Sequence, residues 1–205
     1  MENNGVKFTP ILLGSDFNVY GMARSFYDLY HEPVQAFASI QLAPTRYTKV
    51  VNLELIPGFD EDPVWIETMR KLKERYANHP EPVILIGCGD GYAELISKHK
   101  AELEDVFICP YIDYDKLRHL NNKENFYKVC DQYDLPYPAT RIITKDEAAD
   151  GDVEQPFDYP VALKPANSVE WLDVHFEGRK KAFRIQSETE FKDCLLYTSD
   201  AADDM

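Results

Sequence analysis

Val83-Ile84-Leu85-Ile86-Gly87-Cys88-Gly89-Asp90-Gly91 is the stretch on which the reading of this fold turns. Four consecutive apolar residues stopped by glycine describe a strand buried on both faces, as in a parallel sheet. Glycines at 87, 89 and 91 let the backbone turn sharply and approach a neighbour closely. A helix then follows through Ala93, Leu95 and Ile96. The same grammar repeats on either side. Residues 10–13 form an apolar run ending at Gly14, and residues 17–30 space Val19, Met22, Ala23, Phe26 and Leu29 as a helix does. Residues 34–40, 50–56 and 106–109 read as further strands. Residues 63–77 read as a helix with proline tolerated in its first turn. Strand–helix alternation of this sort predicts an α/β unit with a largely parallel sheet, whose ligands sit at the C-terminal edge of the strands.

Past residue 114 the pattern changes. Residues 114–133 are helical in character with a break at Asn121 and Asn122, either able to cap the second segment. Leu135-Pro136-Tyr137-Pro138 is a proline-stiffened extended connection. Residues 140–143, an acidic insertion over 146–158 and the apolar 161–164 follow, with strands expected around 173–176 and 182–185. Ser187 to Glu190 fits a capping box opening a new helix. The domain boundary is expected between residues 114 and 122. The domains are accordingly 1–118, 119–193, and a tail at 194–205 whose abrupt change of character reads as non-native or as an ordinary acidic C-terminus; if it is non-native, the native protein continues beyond Asp193.

Composition narrows the function. The 205 residues are 44% hydrophobic and 13% aromatic, ample for a packed core. A formal charge of −14 argues against a nucleic-acid backbone as partner, while leaving room for a local basic pocket for a small anion. Cys88, Cys109, Cys130 and Cys194 lie far apart with no CxxC, and read as reduced thiols of a cytoplasmic protein. The five histidines show no spacing for metal or triad chemistry. No stretch has the length of a membrane span, and no secretory signal is expected at the start.

The glycine cluster at 87–91 resembles the first motif of S-adenosylmethionine-dependent methyltransferases. It departs from it at Leu85, where an acidic residue is usual, and after 106–109, where Pro110 and Tyr111 replace a ribose-binding carboxylate. A plain strand-to-helix turn and a ligand-binding edge are the other readings. A non-catalytic ligand-binding module also stays open.

Several segments together carry a more specific resemblance. TPILLGSDFNVYGMARSF (9–26) and LAPTRY (42–47) are similar to the N-terminal domain of ATP-grasp carboxylate–amine ligases. NKENFYKVCDQYDLPYP (122–138) is similar to the family's lysine, helix, then Gly-Ile-Pro-x-Pro, with Asp134 in place of the glycine. YPVALKPAN (159–167) resembles the strand carrying the second family lysine. The resemblance covers about residues 8–193. It implies a Rossmann-like pre-ATP-grasp domain followed by the truncated first half of an ATP-grasp α+β domain. It also implies activation of a carboxylate, such as D-aspartate, as an acyl phosphate that an amine, such as a peptidoglycan-precursor lysine, then attacks. ATP and Mg2+ are the implied cofactors, with the metal ligands and adenine pocket downstream of these residues, so that this polypeptide by itself would be inactive.

By that resemblance Lys123 and Lys164 would neutralise ATP phosphates. Alone, Lys123 also reads as an exposed helix lysine. Lys164, after Val161, Ala162 and Leu163, is an odd choice for a buried strand without an anionic partner. The glycine-rich flap expected next is replaced by Asn167-Ser168-Val169-Glu170-Trp171. In the first domain, Ser15, Asp16 and Asn18 lie between strand and helix, where they can hold a substrate's polar end or simply cap the helix. Arg46 can clamp a carboxylate or lie solvated. Gly87 and Gly89 would line the substrate edge.

Overall fold

The order of elements is β1 (Thr9–Leu13), α1 (Phe17–Tyr30), β2 (Val34–Ala38), α2 (Ala43–Arg46), β3 (Val51–Leu55), α3 (Asp62–Tyr76), β4 (Val83–Gly87), α4 (Asp90–Leu103) and β5 (Phe107–Ile108). Then come α5 (Tyr114–Asn121), α6 (Lys123–Gln132), α7 (Lys145–Asp150), β6 (Val161–Leu163), β7 (Phe183–Ile185) and α8 (Glu188–Asp203). This computed structural model describes residues 7–150, 153–165, 175 and 177–203, the last eight of them and 145, 149 and 150 by backbone alone. Two compact units divide the chain, Met1–Arg118 and His119–Met205, the division falling within α5.

In the first unit five parallel strands pair in the order β3-β2-β1-β4-β5. Alternation along β1 sends side chains to opposite faces. Ile11 and Leu13 join Phe37, Phe59, Leu85 and the α3 residues Trp65, Met69 and Leu72 on one face. Leu12 joins Ala36 and the α1 residues Val19 and Ala23 on the other. The result is three layers, helix on sheet on helix. The chain leaves β1 for β2 on one side and later returns to pair β4 on the other. The loops after β1 and β4 therefore open side by side at the switch point of the sheet, where α/β folds of this kind bind ligands. Register makes the edge level: Leu13 lies opposite Phe37 on one side and Gly87 on the other.

The second unit is built on a two-stranded antiparallel ribbon, β6 with β7, in the register Val161–Ile185, Ala162–Arg184 and Leu163–Phe183. One face of the ribbon, Val161, Leu163, Phe183 and Ile185, packs with Ala148, Val153, Phe191 and Leu195. Asn122 is the residue that caps α6, its side-chain oxygen accepting from the Asn125 amide at 3.0 Å. The helix ends with Asp134 at φ 53°, the Leu135 amide bonding back to the Cys130 carbonyl and the Asp134 amide to that of Asp131. That is a Schellman close, which asks for a left-handed residue and explains why glycine is usual there. Ser187 and Glu190 form the expected box, except that the Glu190 carboxylate reaches the Gln186 amide (2.7 Å).

Several expectations are corrected. Residues 140–143 lead to Thr144, whose amide and hydroxyl bond Glu147 in a second capping box, not foreseen, that opens α7 inside the acidic insertion. α2 was not foreseen, and β5 is only two residues long. The helix begun at Glu188 does not stop where the sequence changes character; it runs to Asp203. The strand expected at 173–176 falls outside the described residues except for residue 175, as does the whole segment 167–171 in place of the flap.

Candidate functional site

The switch-point edge of the first unit gathers Ser15, Asp16, Asn18, Gly87 and Gly89. Gly14, at φ 118°, turns the chain out of β1. Ser15 is buried at 4% exposure, and its hydroxyl donates to the Ile40 carbonyl (2.7 Å) while accepting from the Leu42 amide (3.3 Å). Thr45 adds a bond from its hydroxyl to the Ser15 carbonyl at 2.9 Å. Both capacities of the Ser15 oxygen are thus engaged in tying the loop after β1 to the loop after β2. Asp16 is the N-cap of α1, accepting from the Asn18 and Val19 amides at 3.0 and 3.2 Å. Asn18 bridges the two neighbouring loops, its side-chain amide donating to Asp16 and to the Cys88 carbonyl, 3.0 and 3.1 Å away. Burial, and then the charge of Asp16, push the Cys88 thiol up to about 12, so it is no nucleophile near neutrality.

The two candidate glycines part company. A Cβ on Gly87 would lie 2.8 Å from the Ala93 amide nitrogen and 2.9 Å from the Tyr92 carbonyl carbon. The missing side chain at 87 makes room for the first turn of α4, and its amide is taken by the Tyr111 hydroxyl at 2.7 Å. This is close strand–helix packing, the bland reading of the motif. Gly89 has nothing within 4 Å of its would-be Cβ and precedes α4, which no side chain caps. Its open surroundings and the first-turn amides behind it are what this loop can offer an anion. Arg46 ends α2, exposed and with no ion-pair partner among the described residues.

In the second unit Lys123 is the first residue of α6. Half-buried, it donates from Nζ to the Pro165 carbonyl, the residue after Lys164. Its pKa lies below the ordinary lysine value, through burial first and then the charges of Lys164 and Lys181. Lys123 and Lys164 are therefore neighbours at one end of the β6–β7 ribbon. The setting of Lys164 differs from expectation. It lies one residue past a strand with one open face, and is itself exposed rather than buried. Lys181, not singled out from the sequence, is near enough to act on the Lys123 ammonium. The basic run Arg179-Lys180-Lys181 in a chain of charge −14 was the available signal. A half-buried ammonium beside two others, with no carboxylate on any of the three among the described residues, suits a polyphosphate. Magnesium is another matter, because no group of three or more His, Cys, Asp and Glu gathers to hold a metal among those residues. Nor is any helix there long and apolar enough to cross a membrane.

No family model matches the chain. Its fold is shared with L-amino acid ligase from Bacillus licheniformis, at a TM-score of 0.61 and 14% identity over 96% of this chain and 43% of that one. It is shared too with the ADP complex of N5-carboxyaminoimidazole ribonucleotide synthetase, at 0.54 and 13% over 95% and 45%. In sequence the chain is 62% identical over 188 residues to D-aspartate ligase of Enterococcus faecium (strain Aus0004), covering 90% of this chain and 45% of that enzyme. It thus spans less than half the length of this relative.

Proposed function

We propose that the chain supplies the carboxylate-binding domain and the first phosphate-binding lysines of a cytoplasmic ATP-dependent ligase. That ligase joins D-aspartate to an amine, such as a peptidoglycan-precursor lysine. The observation that carries the reading is the juxtaposition of Lys123 and Lys164 with no carboxylate between them among the described residues. Charge built up on a transferring phosphoryl group has to be met by fixed cations, and two lysines on separate elements do this without reorganising. The likeness to D-aspartate ligase supports the choice of amino acid. Within the first unit, the open Gly89 loop, the α4 amides and Arg46 are the groups left to take a substrate's carboxylate. Ser15, Asp16 and Asn18 hold the loops in place around them. Residues 1–118 act as the pre-ATP-grasp domain and 119–193 as the start of the ATP-grasp fold, with magnesium held by the part of the ligase this chain does not span.

The test is phosphate release with ATP, magnesium, D-aspartate and an amine acceptor. The chain alone is expected to release none. Joined in frame to the part of the enterococcal enzyme it does not span, it should release phosphate only when D-aspartate is present, and lose this with Lys164→Ala. Robust turnover by the 205-residue chain, or a chimera indifferent to D-aspartate, would overturn the assignment.

A further inference from the structure

We propose that the Tyr111 hydroxyl donates a hydrogen bond to a carboxylate of the amino-acid substrate, from the C-terminal end of β4 where β5 supplies no carbonyl. The inference rests on the carboxylate reading of the Gly89 loop above. It adds to that reading a side chain from another part of the fold, absent from every motif singled out in the sequence.

The placement follows from where the ladder ends. Successive residues of a strand turn their backbone groups to opposite neighbours. The Cys88 amide donates to the Leu13 carbonyl of β1 at 3.0 Å, so the Gly87 amide, one residue earlier, faces the β5 side. β5 has ended by then, since its register with β4 holds only Val83–Phe107 and Ile84–Ile108. The Tyr111 phenol oxygen fills the gap, accepting from the Gly87 amide at 2.7 Å. Its own backbone is pinned on both sides. The Tyr111 amide donates to the Cys109 carbonyl at 2.7 Å, and Lys100 Nζ donates to the Tyr111 carbonyl at 2.9 Å. A ladder carbonyl could only accept. A phenol that accepts still has a proton to give, and no acceptor takes that proton among the described residues. Burial above all raises the Tyr111 pKa, against the pull of the Gly87 amide, so the proton stays on the oxygen at neutral pH. Gly87 also begins the loop on which Gly89 meets open space, and its would-be Cβ lies 2.8 Å from the Ala93 amide nitrogen. Hydroxyl, loop and the first turn of α4 therefore share one corner of the sheet edge. A neutral donor fixed there suits a carboxylate oxygen, which accepts several bonds at once.

The test is titration of the 205-residue chain with D-aspartate, followed by NMR through the Gly89 and Gly91 amides. Tyr111→Phe should weaken binding about tenfold. That change also removes the acceptor for Gly87, so a second variant separates the two roles. Tyrosine fluorinated beside the hydroxyl, placed at 111 alone, is a stronger donor and a weaker acceptor. Below its ionisation it should bind D-aspartate more tightly than the parent while melting no higher. Should Tyr111→Phe fail to fold, the fluorinated chain decides by itself. Unchanged binding by Tyr111→Phe, or a fluorinated chain that binds no tighter, would overturn the inference and leave the carboxylate reading intact. A parent chain that takes up no D-aspartate would overturn both.

Discussion

Replacing Gly87 by alanine should unfold the first unit more easily, while the same change at Gly89 should not. Both glycines belong to one motif, and both were candidates for contact with substrate. The added methyl at 87 would sit 2.8 Å from a backbone nitrogen and 2.9 Å from a backbone carbon of the first turn of α4. Ordinary contact for a Cβ begins near 3.4 Å, so α4 and β4 must separate by about half an ångström or more. Neither neighbour is the free end of a side chain that can swing aside. Overpacking of this kind costs roughly 1–3 kcal/mol. The Tyr111 hydroxyl bond to the Gly87 amide would be strained by the same movement. For a chain of this size each kcal/mol lowers Tm by roughly 2–4 °C. Thermal and urea unfolding of Gly87→Ala and Gly89→Ala, followed by far-UV circular dichroism, would measure the difference. At Gly89 the backbone is extended, with φ −145°, and the new methyl meets open space. Equal melts for the parent and Gly87→Ala would refute the packing account and return Gly87 to the list of ligand contacts.

Two further outcomes are expected. Asp134, held in the left-handed region at φ 53°, should tolerate glycine within about half a kcal/mol; Asp134→Val should cost about 1–2 kcal/mol in urea melts. A valine variant as stable as the parent would remove the Schellman close from the account. Lys123 has its pKa depressed from 10.5 by burial first and by Lys164 and Lys181 next, so the unfolded chain holds that proton more firmly than the folded one. Below the depressed pKa the charge weighs against folding, and the burden lifts as pH climbs from there toward 10.5. Lys123→Met should therefore raise Tm at pH 7, by an amount that shrinks as the pH approaches 10. An advantage that is flat with pH, or a lower Tm at pH 7, would contradict the burial of that ammonium.

Local features were legible because they are written in neighbouring residues. The apolar runs before Gly14 and Gly87, the helical spacing of residues 17–30 and the Ser187–Glu190 box each needed only a few positions. The Thr144–Glu147 box is equally local, though it lies at the edge of the acidic run 146–158. The resemblance to ATP-grasp ligases was legible for a related reason, since motifs keep their order along the chain even where single positions such as Asp134 depart. Tertiary structure decided what required distant residues to meet. Strand order puts the loops after β1 and β4 together. Only that meeting shows the Ser15 hydroxyl engaged by Ile40 and Leu42, and the Gly87 void filled by α4. The meeting of the Lys123 ammonium with the Pro165 carbonyl likewise needed α6 to reach the end of β6, because periodicity records which way a side chain faces and not what faces it.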